Sequence, residues 1–484
     1  MTLSSALSNA LSGLTASTRS AEVISSNISN ALTDGYGRRE LNLSSRVLGT
    51  TGSGVHIDGT ARIVDSVVIA DRRLADASLG NSQTNAAFLR RIETAIGEPG
   101  VAGSLSNRLA DLDSAFINAA SRPDSIPRLQ NILNSAQELT GHINKISRQI
   151  QSQRTLADKT IAQQVNQLNS TLEDIQQLNI SIQSQHSSGR DASALLDQRQ
   201  QLVDQISSII PMRAIDRENG QIALISIGGA VLLDGQPAEI GFAPVGLITE
   251  DMTLSAGSLS GLTLNGNPVS TSLNGIMSGG SLNALFQVRD ELGTTAQSNL
   301  DAVARDLVER FQDPAVDATL GLGDAGLFTD FGSFFTSANE PGLSSRLSVN
   351  MMVNPDSGGE LWRLRDGIGA TTEGDVGNAG LLQNLSTTLT QSRVAVSGTF
   401  SGASRSASGL SADFLSDIGA KRHAAEAEIA FSSAKVDILK TQELGSGVDT
   451  DHEMQQLLLV EQAFAANARV MQTIDELFQT LMRI

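Results

Sequence analysis

Residues 3–31 read LSSALSNALSGLTASTRSAEVISSNISNA, and apolar side chains recur in this stretch at alternating spacings of four and three residues. The positions of the repeat are Leu3, Leu7, Ala10, Leu14, Ser17, Ala21, Ile24, Ile28 and Ala31. Ser17 is the single polar member of this repeat. A 4–3 repeat places its members on one narrow stripe of a helix, which packs against a single partner helix. The stretch therefore predicts a coiled-coil arm.

The same spacing returns near the other end of the chain. Its positions are Leu457, Val460, Phe464, Asn467, Met471, Ile474, Phe478 and Leu481. Asn467 is the polar interruption of this second stripe. We predict a second coiled-coil arm over 445–484 that pairs with the first arm over 1–40.

Taken alone, the first arm is a poor helix. Fifteen of its first thirty residues are Ser, Thr or Asn, which together disfavour the helix by roughly 7 kcal/mol relative to alanine. Burying eight apolar side chains would return on the order of 12 kcal/mol. We therefore predict that the arm is disordered by itself and becomes helical when it packs against partners.

The residues between the arms predict a mainly α fold with an inserted β module, in which an elongated helical-bundle body carries an outer β domain. Helical patterns cover 86–96, 104–120, 132–182, 193–210, 281–311 and 409–441. Asn-Gly and Asp-Gly pairs separate short β-branched runs between them, which is typical of hairpins. We predict helical body at 41–210, 271–312 and 409–444, the β module at 211–270, and an irregular or β-containing outer region at 313–408.

Composition narrows the possible partners. The net charge of −18 repels nucleic acid and anionic membrane surfaces. The chain has no cysteine, so a disulfide framework or a thiolate metal site is not expected. The longest nearly apolar run, 222–233, is too short for the roughly 18 to 20 residues that span a bilayer as a helix. The first charge is Arg19, so the basic start of a secretory signal peptide is not present.

Few motifs suggest chemistry. Residues 321–326 match G-x-G-x-x-G, but without the strand before and the helix after that a dinucleotide site requires, so a turn is favoured. Asp449, Asp451 and Glu453 suggest calcium, but the EF-hand glycine and distal glutamate are missing, and acids at a helix start complement its dipole. The sequence does not exclude a catalytic pair of carboxylates that only the tertiary structure brings together. An enzyme therefore remains the alternative. We expect no catalytic, cofactor or metal site.

The arms carry a resemblance. Residues 6–14 (ALSNALSGL), 26–31 (SNISNA) and 34–36 (DGY) resemble the N-terminal signature of flagellar rod, hook and hook-associated proteins. The family usually shows Asn-Ile-Ala-Asn and Asn-Thr-Pro-Gly-Tyr, where this chain has Ser29 and 32–34 (LTD). At the other end, 447–449 (GVD), 461–470 (EQAFAANARV) and 476–478 (ELF) look like the matching C-terminal signature.

The interior is similar to that of the hook-associated protein 1 family. The similar stretches are 121–128, 165–179 and 194–203 (ALLDQRQQLV). Hook and rod proteins lack this helical body, and another axial component of this kind stays as the alternative.

This resemblance implies a structural subunit of the bacterial flagellum at the junction between hook and filament, needed for filament assembly and motility. It implies secretion in unfolded form through the flagellar type III apparatus to an extracellular position. The implied partners are further copies in a ring, hook protein, hook-associated protein 3, and an export chaperone on the C-terminal arm. Neither nucleic acid nor membrane insertion is implied.

We expect the arms to form the assembly interface. The residues concerned are Leu3, Leu7, Leu11, Leu14, Ile24, Asn27 and Ile28 in the first arm, and Leu457, Val460, Phe464, Asn467, Met471, Ile474, Phe478 and Leu481 in the second.

Overall fold

The computed structural model describes residues 3–48, 51–272 and 274–483, so the outermost positions of both predicted arms and residues 49, 50 and 273 of the predicted body lie outside it. The helices are α1 (Leu3–Ser29), α2 (Ser66–Ile96), α3 (Leu105–Ala120), α4 (Ile126–Ser187), α5 (Ser193–Ser207), α6 (Gly280–Gln287), α7 (Gly293–Phe311), α8 (Leu343–Arg346), α9 (Arg363–Asp366), α10 (Gly380–Thr390), α11 (Ala407–Gly445) and α12 (Thr450–Arg483). A π-helical turn, Val288–Leu292, joins α6 to α7.

The strands pair in small antiparallel sheets. They are β1 (Arg38–Leu48), β2 (Thr51–Ile63), β3 (Met212–Asp216), β4 (Ile222–Ser226), β5 (Val231–Asp234), β6 (Gln236–Pro237), β7 (Ile240–Gly241), β8 (Leu262–Leu264), β9 (Asn267–Val269), β10 (Phe328–Asp330), β11 (Leu347–Val349), β12 (Arg393–Val394) and β13 (Ser404–Arg405). The inserted module consists of the sheets β3-β4-β5-β6 and β7-β8-β9. The prediction of a mainly α fold with an inserted β module is confirmed.

Helix α4 is the axis of the body. Its 62 residues extend about 90 Å at 1.5 Å per residue. Ile132, Ile146 and Leu172 are fully buried along it, where α3, α5, α7 and the β module cover it. On the inner side of the module, Leu224 and Leu232 are also fully buried and belong to the same apolar core as α4. The module is therefore held by the core of the body.

The apolar repeat of α4 is irregular near residue 157 because polar side chains are buried there. Arg154, Asp158 and Arg289 are all 0% exposed. Arg289 Nη1 donates to Asp158 Oδ1 at 2.7 Å, and Arg154 donates to the carbonyl oxygens of Arg289, Thr249 and Met252. Because these partners come from the π-helical turn and the loop before β8, the arginines attach both segments to α4.

The prediction of a helical body over 41–210 is wrong for residues 41–48 and 51–63. These residues form most of the β1–β2 hairpin, whose register shifts near residues 42 and 45. The hairpin lies against α1, where the backbone N–H of Val55 donates to Ser12 Oγ at 3.1 Å. A two-stranded hairpin is marginal alone, so its packing on α1 is what stabilises it.

Helix α2 begins at Ser66, twenty residues before the predicted start. Asp65 caps it by accepting hydrogen bonds from the backbone N–H groups of Val67 and Val68. After Val68 and Ile69, the early turns bury small or polar residues, among them Ala75 and Ala77, so a repeat of large apolar side chains is not evident there. In the region 313–408, predicted to be irregular or β, the structure adds the short helices α8, α9 and α10.

Candidate assembly site at the paired arms

Helices α1 and α12 lie side by side and run antiparallel. At Gly13 the two helices approach closely, since a Cβ atom built on it would lie 2.7 Å from Nδ2 of Asn467. The polar interruption of the second stripe therefore packs against bare backbone. Asn27 contacts Glu453, and the distance along α1 from 13 to 27 matches the distance along α12 from 453 to 467. The two helices thus keep one register over this length.

The structure places the expected interface residues in three groups. Ile24, Asn27 and Ile474 are buried between the arms or at their base. Partly covered are Leu3, Leu7, Leu14, Ile28, Leu457, Val460, Asn467 and Met471, and exposed are Leu11, Phe464, Phe478 and Leu481. A groove of about 360 Å³ lies along this seam, lined by Ser17, Thr18, Ala21, Leu457, Val460, Glu461 and Phe464. Each arm thus covers only part of the apolar surface of the other.

Outside the seam, α12 exposes further large apolar side chains on several sides of the helix, and we call this surface of α12 its outward face. Large apolar side chains on it are at least 46% exposed: Met454, Leu458, Leu459, Val470, Leu477 and Met482. The run Leu457-Leu458-Leu459-Val460 was the signal, because four successive residues of a helix cannot all lie on one narrow seam. This outward face has no cover within the described parts of the chain.

At the base of the arms, Asn27 makes four hydrogen bonds while it is 0% exposed. Its Nδ2 donates to the carbonyl oxygen of Arg39 at 2.8 Å and to Oε2 of Glu453 at 3.0 Å. Its Oδ1 accepts from the backbone N–H of Arg39 and from the hydroxyl of Tyr36, each at 2.9 Å. Glu453 is 1% exposed, and its Oε1 accepts from Arg38 Nε at 2.7 Å. This cluster joins both arms to the start of the hairpin.

Helix α5 anchors the loop between α1 and the hairpin. Asp197 accepts hydrogen bonds from the backbone N–H of Gly37 at 2.9 Å and from the guanidinium groups of Arg39 and Arg62 at 2.9 and 2.7 Å. Gln201 Nε2 donates to the carbonyl oxygen of Asp34 at 2.6 Å. Residues 194–203, which belong to the family resemblance, therefore hold the loop that follows the first arm.

A second polar contact joins α2, α5 and α11 beside this loop. Arg72 donates to Asp204 at 2.7 Å, to Glu443 at 2.5 Å and to Asp76 at 3.0 Å. Burial lowers the pKa of Arg72, but the carboxylates of Asp204 and Glu443 raise it overall. The guanidinium stays charged, and α11 is tied to the body just before the chain turns into α12.

Two of the three acids near 450, Asp449 and Glu453, have structural partners. Asp449 Oδ1 accepts from the backbone N–H groups of Asp451 and His452 at 2.9 and 3.1 Å, as an N-cap does. In the described parts of the chain, no group of three or more His, Asp or Glu side chains is arranged to hold a metal ion. Among the same residues, no helix combines the length and apolar content that crossing a membrane requires.

An elongated helical body with its two terminal helices paired beside a hairpin is typical of a structural protein. The family model "Flagellar hook-associated protein FlgK helical domain" matches residues 89–340. The model "Flagellar basal body rod FlgEFG protein C-terminal" matches residues 444–484. The chain belongs to the FlgK family of flagellar hook-associated proteins, which confirms the resemblance of the interior.

Curated relatives extend over the whole chain. It is 24% identical over 554 residues to flagellar hook-associated protein 1 of Escherichia coli (strain K12), covering 100% of both chains. It is 23% identical over 513 residues to the protein of that name in Bacillus subtilis (strain 168), covering 98% of this chain and 97% of the relative. The solved flagellar hook junction protein FlgK from Burkholderia pseudomallei aligns with a TM-score of 0.45 at 18% identity, over 54% of this chain and 46% of that chain.

Proposed function

We propose that this chain is a structural subunit of the bacterial flagellum at the junction between hook and filament, where it assembles through its paired arms without catalysis. Membership of the hook-associated FlgK family supports the place, and the uncovered apolar faces of α1 and α12 support the mode of assembly. A subunit that polymerises through its ends must leave part of their apolar surface for neighbours. The outward face of α12 is that surface.

For the partners, we propose those that the family resemblance implies, and the exposed apolar surfaces of the arms support them. Neighbouring copies in a ring, hook protein on one side and hook-associated protein 3 on the other would cover the outward faces of the arms. Before export, a chaperone would cover the C-terminal arm, because an unpaired α12 exposes both its seam and its outward face. The protein would then be secreted in unfolded form and act outside the cell, and the absence of cysteine suits such a route.

A hook or rod protein is the second candidate. Residues 444–484 match a model named for rod proteins, so the C-terminal arm does not separate the two. The helical body over 89–340 favours the hook-associated class.

A deletion strain tests the proposal. We expect hooks without filaments and flagellin released into the medium, with filaments restored by the unaltered gene. A gene carrying Leu458→Asp and Leu477→Asp should not restore them, whereas Gln455→Asp with Gln472→Asp, which adds the same charge at exposed polar positions of α12, should. Normal filaments in the deletion strain would refute the proposal, and loss of the hook itself would favour a hook or rod protein.

A further inference from the structure

We infer that the buried contact between Asn27 and Glu453 selects one register of the arm helices, and that Arg38 ties this register to the hairpin. The inference concerns how the arms pair within one chain and does not depend on where the protein acts.

Apolar packing alone leaves the register open. The 4–3 repeat on each arm recurs every seven residues, so sliding α12 by seven residues along α1 again sets apolar positions against apolar positions. Helix pairs with such repeats obtain a unique register from buried polar residues. Along the described part of the seam, two polar side chains of α12 face α1: Asn467, partly covered, lies against Gly13 near the middle, and Glu453, buried, lies against Asn27 at the base.

Most hydrogen bonds of Asn27 are made without α12. Three of its four hydrogen bonds go to Arg39 and Tyr36, which follow α1 directly in the chain. They orient the remaining hydrogen of Nδ2 towards the position of Glu453. Arg38 Nε points to the same carboxylate, so two donors converge on one side chain, at 3.0 and 2.7 Å.

A slipped register separates these groups. If α12 moved by seven residues towards the start of α1, Glu453 would lie beside Ser20 and Ala21, away from Arg38 and Asn27. Asn467 would lose Gly13 and meet Ala6 and Leu7. Glu453 would then lie in the apolar seam, at the position that Val460 now holds, without its cation, and the fully buried Asn27 would lose its acceptor. Both losses are unfavourable. The native register is therefore the one in which Glu453 is paired.

Disulfide trapping measures the register, because the chain has no cysteine of its own. Ala21→Cys with Val460→Cys, which both line the groove between the arms, reports the native register. Leu14→Cys with Val460→Cys reports the slipped one, since the two positions are offset by seven residues, about 10 Å along the helix and beyond the reach of a disulfide. Both pairs are oxidised in the full-length purified chain, and the yield of the native pair is divided by that of the slipped pair.

We expect a ratio of about tenfold or more in favour of the native pair, because one register holds the two cysteines within bonding distance. Glu453→Leu, which suits the apolar seam, should lower the ratio at least about fivefold by releasing the register. Glu453→Gln, which keeps an acceptor for Asn27, should lower it less. Glu476→Leu makes the same replacement at an exposed position of α12 and should leave it unchanged.

Three results would overturn the inference. The first is an unchanged ratio in Glu453→Leu, which would assign the register to the apolar contacts. The second is the loss of both cross-links, which would make Glu453 necessary for pairing itself. The third is an equal fall in Glu476→Leu, which would make the effect one of added apolar surface.

Discussion

The helical body and the paired arms use the same kind of apolar repeat, but they bury it to different extents. On α4, Ile132, Ile146 and Leu172 are 0% exposed, because other elements surround that helix. On α12, Leu458 and Leu477 remain 55% and 48% exposed, because the arm has α1 as its main neighbour. The body covers most of the apolar repeat of α4 within the chain, whereas the arms leave much of theirs exposed.

Charged groups show the same contrast. In the body, Arg289 and Asp158 are buried among helices and loops of one core. In the arms, the buried Glu453 and its partly exposed partner Arg38 lie at the base, and the rest of α1 and α12 meets along a narrow apolar seam. Stability of the body and competence of the arms for assembly should therefore respond to different mutations.

The largest effect should come from charges in the seam of the arms. Leu14→Asp with Ile24→Asp, or Phe464→Asp with Phe478→Asp, should abolish filament formation, because a charged residue there opposes both the arm pair and its neighbours. The body should keep its thermal unfolding midpoint, measured by circular dichroism. Thr15→Asp with Ser25→Asp, at exposed positions one residue further along α1, should still allow filaments. An unfolded body in the seam variants would contradict the separation between stability of the body and assembly of the arms.

A buried charge in the body should give the next largest effect, and on stability. Arg289→Met leaves the Asp158 carboxylate buried without its cation, which should lower the free energy of unfolding by about 3 to 5 kcal/mol. Urea denaturation measures this loss. Arg217→Met removes an exposed ion pair with Asp234 and should leave the midpoint unchanged. Equal effects of the two variants would contradict the account of the buried pair.

The connection between the two regions should respond with an intermediate, local effect. Asp197→Ala removes the common acceptor of Gly37, Arg39 and Arg62 and should destabilise the loop and hairpin by about 2 kcal/mol. Amide hydrogen exchange should accelerate over 34–63, while the amides of α4 keep their rates. Asp197→Asn, which keeps an acceptor oxygen, should accelerate it less. Faster exchange throughout α4 would mean that the hairpin and the body unfold as one unit.

The smallest effect should be a pH dependence within the body. Burial lowers the pKa of His142, whose ring faces the carbonyl oxygen of Ile96. Because the folded state disfavours the proton, stability should decline as pH falls from the ordinary histidine value of about 6.5 through the lowered pKa. His142→Gln should reduce the pH dependence of the unfolding midpoint over that range, and His186→Gln, at an exposed position, should not. An unchanged slope in His142→Gln would rule out this source.

Particular residues show how far sequence reasoning reaches. The repeat in 132–182 predicts a helix that the structure extends to 126–187, since long periodic segments report their own secondary structure. The hairpin at 38–63 escaped prediction because its bulges interrupt the alternation and its stability comes from α1. Glu453 was interpreted as an acid at a helix start, yet its carboxylate contacts Asn27, 426 residues away along the chain. Nothing near Glu453 in the sequence indicates that partner.

By itself, the sequence determined which faces of the helices are apolar, where most helices lie, and that both ends carry narrow seams. A periodic pattern does this because it is a property of consecutive residues on one element. The tertiary structure alone decided that Asn467 lies on Gly13, that Asp197 holds the loop after α1, and that Glu453 is buried beside Arg38. These contacts join residues that are far apart along the chain. A repeat cannot predict them, because it states only on which side of its own helix a side chain lies.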